Sequence, residues 1–553
     1  MAQRQDEFNA VPRSGLTRSD GLILGVFAAL LFAITSSGKL PADPESRYDV
    51  AVRALGEGRL SMPGPGNNSV ESGGLHYCVF FPGQSLVFAP AAAVAVAAER
   101  VGIGASTAGL AGGFLAVTVV TPVIGGLAVA GLSALLGAIG LSRRVALLGG
   151  VLLATATPLW VNAGLGSEEA VLAAATCWGL YAWVRARAAL TQATTDEGVA
   201  ARHAAVLRWL GIGALCFGVG LLHRGTYLAV VVGALCVVPW MAMWRAGLAQ
   251  PVRAVAWLLP CAGCIAMVLA YNAARFGHPF DTGYGRFYAR FDEGLYGHPL
   301  WKGLVGYAVS PGKSVFLYAP VLLLSVAAVL DGRVWRHLGR IVAVIVVATI
   351  IHLLFYAPFT FWGGDTNWGV RFHVGMMPLW IIPAVVGVSL WWTGRRARAL
   401  ARGTIVAVVA VSVAVQLAGL SLNWGLEQRQ RPEAWVGPPG YRLVPADAAW
   451  TWDASPWRRR WVNLADKLSG RPLLAPHASP EERESYEAWN IFPLFARAKL
   501  GSGALFWALA GVWAVLALLT LASGALLWRR VNGACDGERD DPSPLYSTRS
   551  APR

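Results

Sequence analysis

Apolar blocks of roughly 18–25 residues recur along this chain of 553 residues, and they decide what it can fold into. A block of that length crosses a bilayer as a helix, because in lipid each backbone N–H and C=O must be satisfied within its own segment. The alternating pattern of barrel strands is absent. Hydrophobic residues make up 55% of the chain and charged residues only 14%. The expected fold class is an all-α polytopic membrane protein.

Twelve spans are expected, at 21–37, 114–142, 145–162, 169–185, 208–223, 226–244, 254–274, 314–330, 341–358, 372–393, 403–424 and 503–528. The formal charge is +15, but the arginines sit in short loops between spans, which is an orientation signal and not a nucleic-acid groove. With the N-terminus inside, Arg143, Arg144, Arg185, Arg187, Arg245, Arg253, Arg333, Arg336, Arg395, Arg396, Arg529 and Arg530 all fall on the inner side. Both termini are then cytoplasmic. The first 20 residues are polar and carry Arg4, Arg13 and Arg18; the span after them reads as an uncleaved anchor. The block 84–99 would invert this order if it crossed, so it reads as a re-entrant or interfacial helix on the outer face.

The expected organisation is a tail at 1–20, a transmembrane module at 21–424 with a first outer loop at 38–113, an outer loop or cap at 425–502, a last span at 503–528 and a polar tail at 529–553. Most of the 31 Asp and Glu residues fall outside on this topology. The inner loops are too short for a nucleotide-binding domain. Polar chemistry is therefore expected at the outer surface. The cysteines form no framework: Cys261 and Cys264 share a helix face inside a span, a weak sign of metal or redox chemistry.

The outer segments contain the reactive residue types. Asp43 and Glu45 stand just past the first span, ahead of a helical stretch ending near Gly56 or Gly58. Pro44 suits the first turn of that helix, so Asp43 reads either as its N-cap or as a working carboxylate. Ser310-Pro311-Gly312-Lys313-Ser314 includes Gly-Lys-Ser, but a phosphate loop needs glycine where Tyr307 stands. Lys313 reads as a point charge for a lipid phosphate or as a snorkelling lysine. In the short loop 359–371, Arg371 suits two-pronged phosphate binding, or else a pair with Asp365 that fixes the loop. Glu168, Glu169, His223 and Arg224 lie at other outer turns, with anion and acceptor binding as the roles weighed against loop solvation.

The order of these features resembles a family. Acids after the first span, Tyr77…Pro82-Gly83, Tyr271-Asn272…Arg275-Phe-Gly…Gly283-Tyr284, Ser310-Pro311-Gly312 and Trp362-Gly-Gly…Trp368-Gly-Val-Arg371-Phe are similar to the bacterial GT-C membrane glycosyltransferases. That group includes protein O-mannosyltransferase-like, lipid A aminoarabinose transferase-like and RgtA/B/C/D-like enzymes, and the resemblance covers roughly 20–425. It implies a GT-C-like bundle with outer juxtamembrane helices in the cytoplasmic (inner) membrane. It also implies a hexosyl- or pentosyltransferase that uses a polyprenyl-phosphate-linked sugar on the outer face.

The acceptor it implies is a hydroxyl on a glycan, lipid or protein. Asp43 matches the catalytic acid, with Glu45 as its alternative because Pro44 interrupts the usual acidic doublet. Arg371, Lys313 and Arg224 would bind the donor phosphate; Tyr77, Asp365, Tyr284 and Glu168 would line the substrate site. The resemblance fixes no cofactor, and a divalent cation is left open. A transporter or flippase for lipid-linked sugars is the rival from another class, but it would hold ionisable groups near the bilayer midplane, where these spans have almost none. A catalytically inert scaffold is the third reading.

Overall fold

The computed structural model describes residues 15–66, 68–191, 198–238, 240–247, 251–291, 294–364, 367–393, 398–423, 425–430, 449–476, 478–500 and 503–537. It is mostly helical. Among the described residues, six helical stretches are long and apolar enough to cross a membrane: Ala105–Ala138, Val199–His223, Val255–Phe276, Arg371–Trp392, Ala399–Ser421 and Ala504–Gly533. A seventh follows if the bent pair Gly332–Leu338 and Ile341–Tyr356 is one span. Of the other expected spans, Arg18–Ile34 is a little shorter, 226–244 and two more are broken, and Glu169–Thr191 is long enough but less apolar. Pro158 interrupts 145–162, and Pro320 stands between the short helices Val315–Tyr318 and Leu322–Val329. Proline lacks the donor that a continuing helix needs. Hydropathy averaged over such a block hides the break.

Helix α1 (Arg18–Ile34) opens with a capping box between Thr17 and Asp20. It packs on the 121–138 helix so closely that a Cβ on Gly126 would lie 2.3 Å from the Gly25 carbonyl oxygen. Small residues permit such backbone approach in lipid, where packing has to replace the hydrophobic effect. At its start, buried Asp20 accepts from Arg143 Nε at 2.8 Å and Nη2 at 2.7 Å. Arg530 approaches the same carboxylate at 3.5 Å. The starts of α1 and of the 143–155 helix and the far part of the last helix are thus pinned at one end of the bundle.

At the other end, α2 (Ala42–Glu57) follows α1. Its N-cap is Pro41, and Gly58 closes it in the left-handed region at φ 68°. Asp43 is therefore inside the first turn, one residue past the helix start, and is not the N-cap considered above. Pro41 and Pro44 both fit there because the first turn has no use for their missing N–H groups. A hairpin follows, β1 (Ser69–Ser72) antiparallel to β2 (Leu75–Cys78), with Val70 opposite Tyr77. This short sheet departs from the all-α expectation. Next comes α3 (Gly83–Arg100), which packs on α2 and on the helix beginning at Ala105. That helix starts nine residues before the span expected at 114 and runs through a π-turn at Ala116–Val120.

The next elements return to the same end. Helix α4 (Arg143–Thr155) leads to α5 (Glu169–Thr191), whose first residue stands beside Glu168. Helix α6 (Leu300–Val309), which exposes Leu300, Trp301, Leu304, Val305 and Val309, lies against the 357–362 turn through Gly303 and Gly306. Farther along the chain, α7 (Pro456–Leu468) docks onto the 310–318 segment. Ser455 Oγ donates to the Pro311 carbonyl at 2.6 Å, and Trp457 Nε1 to that of Leu317 at 3.0 Å.

Candidate active site

Two prolines and a helix dipole place Asp43. The α2 start points its partial positive charge toward the first-turn carboxylates, which favours their ionised form. Asp43 Oδ2 pairs with Arg371 Nη1 at 2.6 Å, and Oδ1 accepts from Asn68 Nδ2 at 3.0 Å. The Asp43 side chain keeps 21% of its surface open. Burial raises the affinity of its carboxylate for a proton. The charges of Arg371 and then Arg47, with hydrogen bonds from Arg371 and Asn68, outweigh burial and hold the group below the usual carboxylate range.

A second ionic cluster lies alongside. Glu168 accepts from Arg224 Nε at 2.9 Å and from Arg224 Nη2, and pairs with Arg47 Nη2 at 3.2 Å. Arg224 Nη2 also reaches Glu169 Oε1 at 2.9 Å. Burial pushes Glu168 up, but Arg224 and Arg47 pull it down further, so its carboxyl also stays low. Burial disfavours the charge on Arg224, and Glu168 more than offsets this, raising its proton affinity. Arg47 lies over the Phe80 ring at 3.7 Å. Phe372 has the Arg224 and Arg371 guanidiniums each 5.2 Å from its ring centre and stacks on Tyr356 at 4.7 Å. One aromatic thus seats both cations.

These groups line one open cleft of about 540 Å³, formed by Pro41, Ala42, Asp43, Pro44, Arg47, Leu165, Ser167, Glu168, Glu169, Arg224, Asn367 and Arg371. Three carboxylates face three guanidiniums, so the cleft is close to neutral. Arg47 Nε and Arg224 Nη1 are buried donors that meet no acceptor among the described residues. A cleft with unmet buried donors and no net negative charge suits an incoming anion. Among the described residues, no three His, Cys, Asp or Glu side chains are grouped to hold a metal ion.

The cleft gathers Asp43, Glu168, Glu169, Arg224 and Arg371 from the candidate residues, and adds Arg47 and Asn367. Arg47 had a legible signal: it lies four residues after Asp43, on the same helix face. Asn68 had none, since nothing local ties a turn residue to α2. Four other candidates sit elsewhere. Glu45 is exposed and does not line the cleft. Lys313 is buried, and its Nζ donates to the carbonyls of Gly369 at 3.2 Å and Asn367 at 3.4 Å, beneath the loop that leads to Arg371. Tyr77 packs edge-on against Phe276 at 6.0 Å. Tyr284 opens the short helix Tyr284–Tyr288 and stacks on Tyr288; burial, then the Glu168 charge, pushes its hydroxyl pKa up. Asp365 lies outside the described residues. Arg275, part of the family-like motif, is buried and donates to the Cys78 and Phe80 carbonyls, tying the hairpin exit to the end of the 251–276 helix.

No family model matches this chain, and no curated protein matches it. Among solved structures it is similar to the oligosaccharyltransferase AglB of Archaeoglobus fulgidus in complex with an inhibitory peptide and a dolichol-phosphate. Identity is 13% and the TM-score 0.44, over 77% of this chain and 56% of that one. The chain thus matches little more than half the length of that structure. It is also similar to ArnT of Cupriavidus metallidurans bound to undecaprenyl phosphate, at 16% identity and TM-score 0.43, over 95% of this chain and 80% of that one. A second Archaeoglobus fulgidus oligosaccharyltransferase structure, tethered with an acceptor peptide containing the NVT sequon, matches at 13% identity and TM-score 0.39, over 83% and 64%.

Proposed function

We propose that this chain is a membrane glycosyltransferase of the GT-C type. It moves a hexosyl or pentosyl unit from a polyprenyl-phosphate donor to an acceptor hydroxyl on the outer face of the cytoplasmic membrane. The shorter and broken helices would complete a bundle of about twelve crossings, with both termini inside. The observation that carries the reading is the cleft, where Asp43 and Arg47 from α2 converge with Arg224 and Arg371 from two other segments, beside unmet buried donors.

The chemistry is an inverting single displacement. Asp43 takes the proton of the acceptor hydroxyl. The acceptor oxygen bonds to the anomeric carbon as that carbon's bond to the phosphate oxygen breaks. The electron pair stays on the phosphate, which goes from one negative charge to two. Arg371 would meet the charge in the ground state, and Arg224 and Arg47 would stabilise the charge that develops. Lys313 would serve by holding the 367–369 carbonyls, and so the position of Arg371. Glu168 would keep Arg224 and Arg47 aimed into the cleft. The polyprenyl tail would lie between apolar helices.

Mass spectrometry of envelope glycans and polyprenyl-phosphate sugars in the host, with and without the gene, tests this reading. A transferase predicts loss of one glycan modification while its lipid-linked donor persists. An unchanged glycan profile would refute it. Donor retained on the inner leaflet would favour a flippase instead.

A further inference from the structure

Asp43 has both carboxylate oxygens engaged: Oδ2 by Arg371 and Oδ1 by Asn68. A general base needs an oxygen within hydrogen-bond reach of the proton it takes. Arg371 has the matching conflict, because the Nη1 that holds Asp43 at 2.6 Å belongs to the fork that would meet a phosphate. Both groups line the same cleft, so the exchange needs only a side-chain movement. Asn68 is placed differently. It is buried, and its Nδ2 also approaches Ser46 Oγ at 3.4 Å, one turn along α2. Its backbone carbonyl accepts from Val79 N at 2.9 Å, which ties it to the hairpin exit.

We propose that Arg371 is exchanged between Asp43 and the donor phosphate, so that the anionic headgroup itself releases the base while Asn68 keeps it in place. This rests on the donor reading given above. Asp43 acts as a stand-in anion for Arg371 in the empty cleft. Donor arrival breaks that pair, forms the stronger two-pronged guanidinium–phosphate contact and leaves Oδ2 open beside the anomeric carbon. Donor then binds before acceptor, and the two are coupled through one side chain. Asn68 is a positioning residue: it fixes the carboxylate when its ionic partner leaves.

The test is binding of undecaprenyl phosphate, the leaving lipid itself, to the purified full chain in nanodiscs. The variants are Asp43→Asn, Asp43→Ala, Arg371→Gln and the double variant Asp43→Asn/Arg371→Gln. Removing the competing carboxylate should tighten binding about five-fold in both Asp43 variants, as loss of a partly exposed ion pair implies. That gain should vanish when Arg371 is also replaced. Unchanged or weaker binding in both Asp43 variants, or a gain that persists without Arg371, overturns the exchange while leaving the donor reading intact. Absence of binding by the wild-type chain would overturn the donor reading and the exchange with it.

Discussion

Asp43 and Arg371 form a 2.6 Å ion pair across most of the chain's length, one from the first turn of α2 and the other at the head of the 371–392 helix. The pair sets the protonation state of the cleft. Burial works against the Asp43 charge, and Arg371 is the first of the groups that overcome it. Asp43 is therefore ionised in the empty protein down to pH values below the usual carboxylate range.

Replacing Arg371 should move the acid limb of kcat/KM. The limb reports the free enzyme's base, and activity falls as pH drops through that pKa. In Arg371→Gln, burial is opposed only by Arg47 and Asn68, so the Asp43 pKa rises and the limb shifts to higher pH. The residual activity should also be lower. An unmoved limb, measured by a pH profile on the remaining activity, would separate Asp43 from the base role.

Asp49 should be a source of instability at neutral pH. Burial and then the neighbouring Glu45 charge push its carboxyl up to about 6, against the pull of Arg53. A raised carboxyl favours folding while protonated, so its contribution is present at low pH and is lost as pH rises through about 6. Asp49→Asn should therefore stabilise the fold at pH 7.5 by about 1 kcal/mol after allowance for solvent screening, and raise Tm accordingly. The difference should close near pH 4, where the unfolded group also binds its proton. Thermal melts in detergent at the two pH values check the sign.

Arg143→Ala should destabilise the end of the bundle away from the cleft. It leaves the buried Asp20 carboxylate with Thr17 and only a distant Arg530. The cost should be about 2 kcal/mol, from stranding a buried charge. Asp20→Asn in the same chain should restore part of the lost Tm. No rescue would mean the guanidinium matters for packing and not for charge.

Gly303→Ala should disturb the seat of the 357–362 turn. A Cβ there would lie 2.1 Å from the Ala357 carbonyl oxygen, and backbone cannot give way as a side-chain tip can. Overpacking of this kind costs about 1–3 kcal/mol. Because α6 supports Trp362 through Gly306, transfer activity should fall along with Tm. Wild-type values for both would show that α6 is free to shift.

Membrane class was legible because hydropathy is a local property of each block. The same pattern assigns Asp43, Glu168, Arg224 and Arg371 to loops expected on one face, but it fixes no distance between them; their meeting in one cleft is a property of the fold. What local pattern cannot carry is partnership. Arg371 pairs with Asp43, and Lys313 turns inward to carbonyls; both depend on how distant segments dock. The hairpin at 69–78 was hidden for a similar reason, since its strands are four residues each and lie in a loop read only for its turn residues. The expected spans at 145–162 and 314–330 are interrupted at Pro158 and Pro320, where averaging ran across a break.

The central claim is that Asp43 is the base of a lipid-linked sugar transfer. The most direct measurement is glycan and lipid-donor mass spectrometry in a host lacking the gene and supplied with the Asp43→Asn chain at normal protein level. The account predicts that the missing glycan modification does not return and that the polyprenyl-phosphate sugar persists, with transfer reduced about 10²–10⁴-fold. Restoration of the native glycan pattern by Asp43→Asn would contradict it.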